Sequence, residues 1–111
     1  MTINSLAHKK CTPCAGGVEP LTKTEAKTHL EKLDDWSLAD DARIITKGFE
    51  FENYEETLNF VNKVAEIAEE NGHHPDIFFG YGYAEILIHT HKINGLHEND
   101  FILAAKIDNI H

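Results

Sequence analysis

Residues 70–91 read ENGHHPDIFFGYGYAEILIHTH, and how this stretch folds decides the rest of the chain. Gly72 stands where a helix needs a left-handed residue just past its end. Pro75 directs His74 to extended backbone, because a residue before proline avoids the helical region. DIFFGYG (76–82) and YAEILIHTH (83–91) then predict two strands, and the glycines of GYG suit a tight hairpin turn. Ala84, Ile86, Ile88 and Thr90 alternate with Glu85, Leu87, His89 and His91, and the first set predicts the buried face. In a hairpin the end of the second strand returns towards the start of the first. His73 and His74 are therefore expected close to the HTH at 89–91.

Working upstream, Asn53 caps a helix, Glu56 answers it three residues later, and Leu58, Val61, Val64, Ala65 and Ala68 form its apolar stripe. Before it, WSL (36–38) and RIITKGFEF (43–51) predict two strands. In the second, Ile45, Lys47, Phe49 and Phe51 alternate with Ile44, Thr46, Gly48 and Glu50. Thr22 and Glu25 have capping-box spacing at the start of a first helix, whose face carries Ala26, His29, Leu30 and Leu33. Downstream, ENDFILAAKIDNI predicts a closing helix. The order is α-β-β-α-β-β-α. Short links between adjacent strands imply antiparallel hairpins, with the helices covering one sheet face.

The 111 residues are enough for one domain, expected over 21–111. Residues 1–20, MTINSLAHKKCTPCAGGVEP, lack periodicity and predict a flexible leader. It carries His8, Cys11 and Cys14; a single C-x-x-C without a second pair reads better as ordinary thiols than as a zinc or redox site. Nineteen acidic against ten basic residues give a formal charge of −9. That disfavours nucleic acid and anionic membranes as partners, both being polyanions. No apolar run approaches the ~18 residues that span a bilayer. The start has no signal-peptide pattern, so a cytoplasmic location is expected.

Four histidines in two tight groups admit three readings: surface decoration, a metal site, or proton transfer. Adjacent histidines are an awkward bite for one metal, and no H-E-x-x-H pair exists, so no metal ligand is assigned. Glu66, Glu69 and Glu70 crowd the end of the second helix, where the helix dipole is already negative, a field that a protonated imidazole seeks. Glu69, four residues before His73, is expected to orient it. Metal-free acid–base work carries most of the weight.

EENGHHPDI followed by THKINGLHENDFILAAKID resembles the pterin-4a-carbinolamine dehydratase family. The resemblance runs from about Leu21 to Asp108 and includes Trp36 and FEFENYEETLNFVNKVAEIAEE. Its hallmarks are His73-His74-Pro75, Thr90-His91, Gly95-Leu96 and Asp100. It implies an α+β fold with a four-stranded antiparallel sheet and helices on one side, associating as a homodimer or homotetramer. The implied reaction is loss of water from a 4a-hydroxytetrahydropterin to give quinonoid dihydropterin, which recycles the pterin used in aromatic amino-acid hydroxylation. The pterin is the substrate, and neither metal nor organic cofactor is implied. By the same resemblance His73, His74 and His91 are catalytic; beyond it, His74 is expected as the base and the other two as donors. Glu69 is the supporting carboxylate, and Pro75, Thr90 and Asp100 support or contact the substrate. Members of the family also act as protein partners of a dimeric transcription factor, so a non-enzymatic adaptor is the alternative function.

Three positions, His97, Ile77 and His89, depart from the family pattern. His97 replaces the usual Ser or Thr before the last helix, an expected weakening of the cap by about 1 kcal/mol. Asp100 at the third helical position serves a helix start as readily as catalysis. Ile77 stands where some members carry an aromatic residue, and His89 is an additional histidine.

Overall fold

The computed structural model describes residues 5–9 and 18–111. Seven regular elements follow in the expected order: α1 (Lys23–Leu30), β1 (Ser37–Leu38), β2 (Ile45–Glu50), α2 (Tyr54–Asn71), β3 (Asp76–Gly80), β4 (Tyr83–Ile88) and α3 (Glu98–Asp108). The four strands form one antiparallel sheet in the order β1-β2-β4-β3. The chain is thus α+β, two hairpins joined through β2 and β4.

The β3–β4 turn is Tyr81-Gly82. Gly82 has φ 82°, the left-handed region that favours glycine, and a Cβ there would come within 3.0 Å of the Phe51 carbonyl oxygen. The turn is held from both sides: Phe51 N–H donates to Gly82 O at 2.8 Å, and Gly82 N–H donates to Thr57 Oγ1 at 3.2 Å. Both strands end earlier than their residue patterns predict. Ile88 pairs with Ile45, the first residue of β2, and Leu87 pairs with Asp76, the first residue of β3. Beyond Ile88 no ladder partner remains. Thr90 instead bridges to Gly95, and His91–Ile93 form a short 3-10 turn.

One sheet face is apolar and covered. Ile45, Phe49, Ala84, Ile86 and Ile88 are buried there with Phe60 and Val64 of α2 and Phe101, Leu103 and Ile107 of α3. Glu50, Phe78, Tyr83 and Glu85 occupy the open face and are exposed. Lys47 lies on the covered face and is satisfied there: its Nζ donates to Asp108 Oδ1 (2.8 Å) and to Asp34 O (2.9 Å). The same carboxylate accepts from Trp36 Nε1, which ties the start of β1 to the end of α3.

The helix starts follow their local signals. Thr22 and Glu25 form the reciprocal capping box, and those hydrogen bonds hold the Glu25 carboxyl below its ordinary value of 4.5. Asn53 Oδ1 accepts from Glu56 N–H at 2.9 Å, and Gly72 with φ 62° ends α2. The buried stripe of α2 is Thr57, Phe60, Val61, Val64 and Ala68; Leu58 and Ala65, expected in it, are exposed. Two contacts set this rotation. Phe60 packs on Phe49 and Phe51 at 4.7 and 5.1 Å, and the buried Thr57 hydroxyl donates to Asn53 O while accepting from the hairpin turn.

Helix α3 packs against α1, α2 and the 3-10 turn Ser5–His8. Leu6 of that turn is 1% exposed, and Lys106 Nζ donates to Ala7 O at 2.9 Å. Part of the stretch expected as a loose leader is therefore docked, because one side of the apolar α3 needs a cover. Cys11 and Cys14 lie outside the described residues. Among the described residues no helix is long and apolar enough to cross a membrane.

Candidate active site

His73 follows the left-handed Gly72, and its backbone N–H donates to Ala68 O at 3.2 Å, closing the end of α2. This reversal sends the His73 ring towards the start of α3. Its Nε2–H donates to Asp100 Oδ1 at 2.6 Å. Asp100 is fully buried, and its Oδ2 also accepts from Thr90 Oγ1 and from the His97 backbone N–H, each at 2.8 Å. One carboxylate thus receives three hydrogen bonds, from the end of α2, the segment after β4, and the cap of α3. That acceptor-only role suits a carboxylate buried among donors.

His74 lies in the opposite setting. Its Nε2–H donates to Glu69 Oε1 at 2.6 Å, and both side chains are exposed. Glu69 was expected to orient His73 and instead pairs with His74. Four-residue spacing brings side chains together only while the helix continues, and Gly72 ends it first. The partner of His73 comes from α3, 27 residues away.

His91 is exposed at the start of its 3-10 turn, with its ring centroid 4.1 Å from that of His89. His89 Nε2 is 3.5 Å from Asp76 Oδ2. The two histidine groups are near one another as expected, linked through His73, Asp100 and Thr90. The Thr90 hydroxyl is spent on Asp100, so this side chain supports the carboxylate. Pro75 is half-buried and holds His74 at the end of α2. His97 is a working cap: its Nδ1 accepts from Asn99 N–H at 3.1 Å while Asp100 completes the capping box. The ring nitrogen takes the place of the expected hydroxyl as acceptor. Sequence reasoning missed Asp76. The available signal was its place at the first residue of β3, opposite Leu87 and so beside the segment that carries His89.

The family model described as "Pterin 4 alpha carbinolamine dehydratase" matches residues 19–110, and the chain belongs to that family. A protein of Halorhodospira halophila named "Putative pterin-4-alpha-carbinolamine dehydratase" is 57% identical over 94% of this chain and 95% of its own length. One of the same name from Methylococcus capsulatus is 53% identical, over 96% and 93%. Among solved structures, a transcriptional coactivator/pterin dehydratase from Brucella melitensis superposes with TM-score 0.78 at 33% identity, covering 83% of this chain and 98% of that one. A pterin dehydratase-like protein identified as a RuBisCO assembly factor in the alpha-carboxysome superposes with TM-score 0.60 at 28% identity, covering 69% and 89%.

Proposed function

We propose that the protein dehydrates a 4a-hydroxytetrahydropterin to the quinonoid dihydropterin, recycling the pterin used in aromatic amino-acid hydroxylation. The carrying observation is the pair of imidazole–carboxylate contacts, His73 with Asp100 and His74 with Glu69, each at 2.6 Å. In both, the carboxylate occupies Nε2 and leaves Nδ1 for the substrate. With Nε2–H donated to Glu69, a neutral His74 presents the Nδ1 lone pair as a base. A protonated His73 holds a second proton on Nδ1 that it can give. The C4a–O bond breaks with its electron pair on oxygen, which takes a proton from His73 or His91 and leaves as water. His74 takes the proton from the ring nitrogen as the new C=N bond forms. Each positioned acid or base is worth about a hundred- to ten-thousand-fold. No metal or organic cofactor takes part.

The test is turnover of a synthetic 4a-hydroxypterin by wild type and by His73→Ala, His74→Ala and His91→Ala. Loss in each single variant supports the reading; full activity in all three overturns it.

An adaptor role is favoured by one observation. The outer edge of β3 has no strand partner among the described residues, and Phe78, Tyr81 and Tyr83 are 60%, 71% and 52% exposed. Open edges and clustered aromatics invite association, with a second copy or another protein. Light scattering and a pull-down beside the turnover assay separate the roles: inactivity with tight protein binding makes the protein an adaptor.

A further inference from the structure

Asp76, His89 and His91 place one ligand atom each within 4.8 Å of one another. They come from two strand ends. Asp76 opens β3 opposite Leu87, His89 follows the end of β4, and His91 stacks edge-on against His89. His73 and His74 are anchored on carboxylates of their own, whereas among the described residues this trio has no side-chain partners beyond its own members. Two imidazoles and a carboxylate are a donor set that zinc and its neighbours in the transition series favour. Bond lengths of about 2.0–2.2 Å to N and O put tetrahedral ligand atoms roughly 3.3 Å apart. The His89–Asp76 separation of 3.5 Å already meets that spacing. Asp76 and His91 are exposed, so rotamer changes alone can close the remainder.

We propose that Asp76, His89 and His91 form a divalent transition-metal site, completed by water, whose occupancy silences dehydration by engaging His91. The metal binds a ring lone pair and removes that imidazole from proton transfer. This effect on turnover rests on the dehydratase reading above; the binding does not. The metal is an inhibitor here, and the reaction proceeds without it. The aspartate and the extra histidine have no part in the proposed chemistry, which leaves them free for this use.

The test titrates chelator-stripped full-length protein with zinc sulfate, followed by calorimetry. One zinc per chain is expected, weakened about tenfold or more by His89→Ala or Asp76→Asn. Circular dichroism confirms that the variants are folded. Cobalt(II) is a second probe on the unmodified protein: a tetrahedral d–d spectrum without thiolate charge transfer is expected. Binding that disappears in a Cys11→Ala/Cys14→Ala double variant, or is unchanged in His89→Ala, overturns the site. For turnover, each protein is compared with its own metal-free rate. Wild type should lose activity with zinc and regain it with chelator, while His89→Ala should need about tenfold or more zinc for the same loss. Zinc bound with turnover unchanged overturns the proposal, as does activity abolished by chelator. Absence of turnover under every condition instead overturns the dehydratase reading, and calorimetry still decides the site.

Discussion

The His73 imidazole and the Asp100 carboxylate meet at 2.6 Å across 27 residues of sequence, with Asp100 fully buried. Asp100→Asn keeps the shape but sets an amide NH2 against one of three donors. Turnover should fall about a hundredfold or more, from the mispositioned His73. Stability should drop by about 1–3 kcal/mol in urea titration, from the unpaired buried group. Thr90→Val removes one donor and leaves His73–Asp100 in place, so it should lose stability while keeping most turnover. Equal loss of turnover in both variants would assign Asp100 to folding alone.

Glu69→Gln separates positioning from stability. The Glu69–His74 pair is exposed, and such pairs contribute roughly 0–1 kcal/mol. The urea midpoint should barely move, while turnover falls several-fold because the amide holds the His74 tautomer less firmly. An unchanged rate would remove Glu69 from the site.

Leu6→Ala tests the docked N-terminal turn. Leu6 is 1% exposed against α3, and truncating a buried leucine costs about 2–5 kcal/mol. Val18→Ala, at a side chain 44% exposed, should stay within about 0.5 kcal/mol. Matching urea midpoints for the two variants would show that the turn adds nothing to the fold.

The capping box of α1 makes part of the stability acid-labile. The Glu25 carboxyl is held below 4.5, chiefly by the Thr22 backbone N–H and then by the Thr22 side chain. A lowered folded-state value stabilises above the unfolded value, and that stability is lost as pH falls through the folded one. Melting curves of wild type and Glu25→Gln should differ at neutral pH and converge below pH 4.5. A gap independent of pH would place the effect in the amide rather than the charge.

His97→Ser should match wild type, and His97→Ala should lose about 1 kcal/mol, because ring nitrogen and hydroxyl serve the same cap. Thermal melts of the three proteins decide it.

What could be read along the chain was what neighbouring residues settle among themselves. Thr22 with Glu25, Asn53 with Glu56, the stop at Gly72, the turn at Gly82 and the alternation through Ala84, Ile86 and Ile88 all act within a few residues. They produced the element order and the covered sheet face. The family hallmarks directed attention to His73, His74 and His91. Partnerships between distant segments were not legible. Asp100 became the buried anchor of His73 across 27 residues, and Leu6 docked on α3. The rotation of α2 that buries Thr57 and Phe60 and exposes Leu58 belongs with these. Each depends on where α3 and the two hairpins lie against one another. That arrangement is set by burying the whole apolar surface at once, a sum over the molecule to which no short stretch holds the answer.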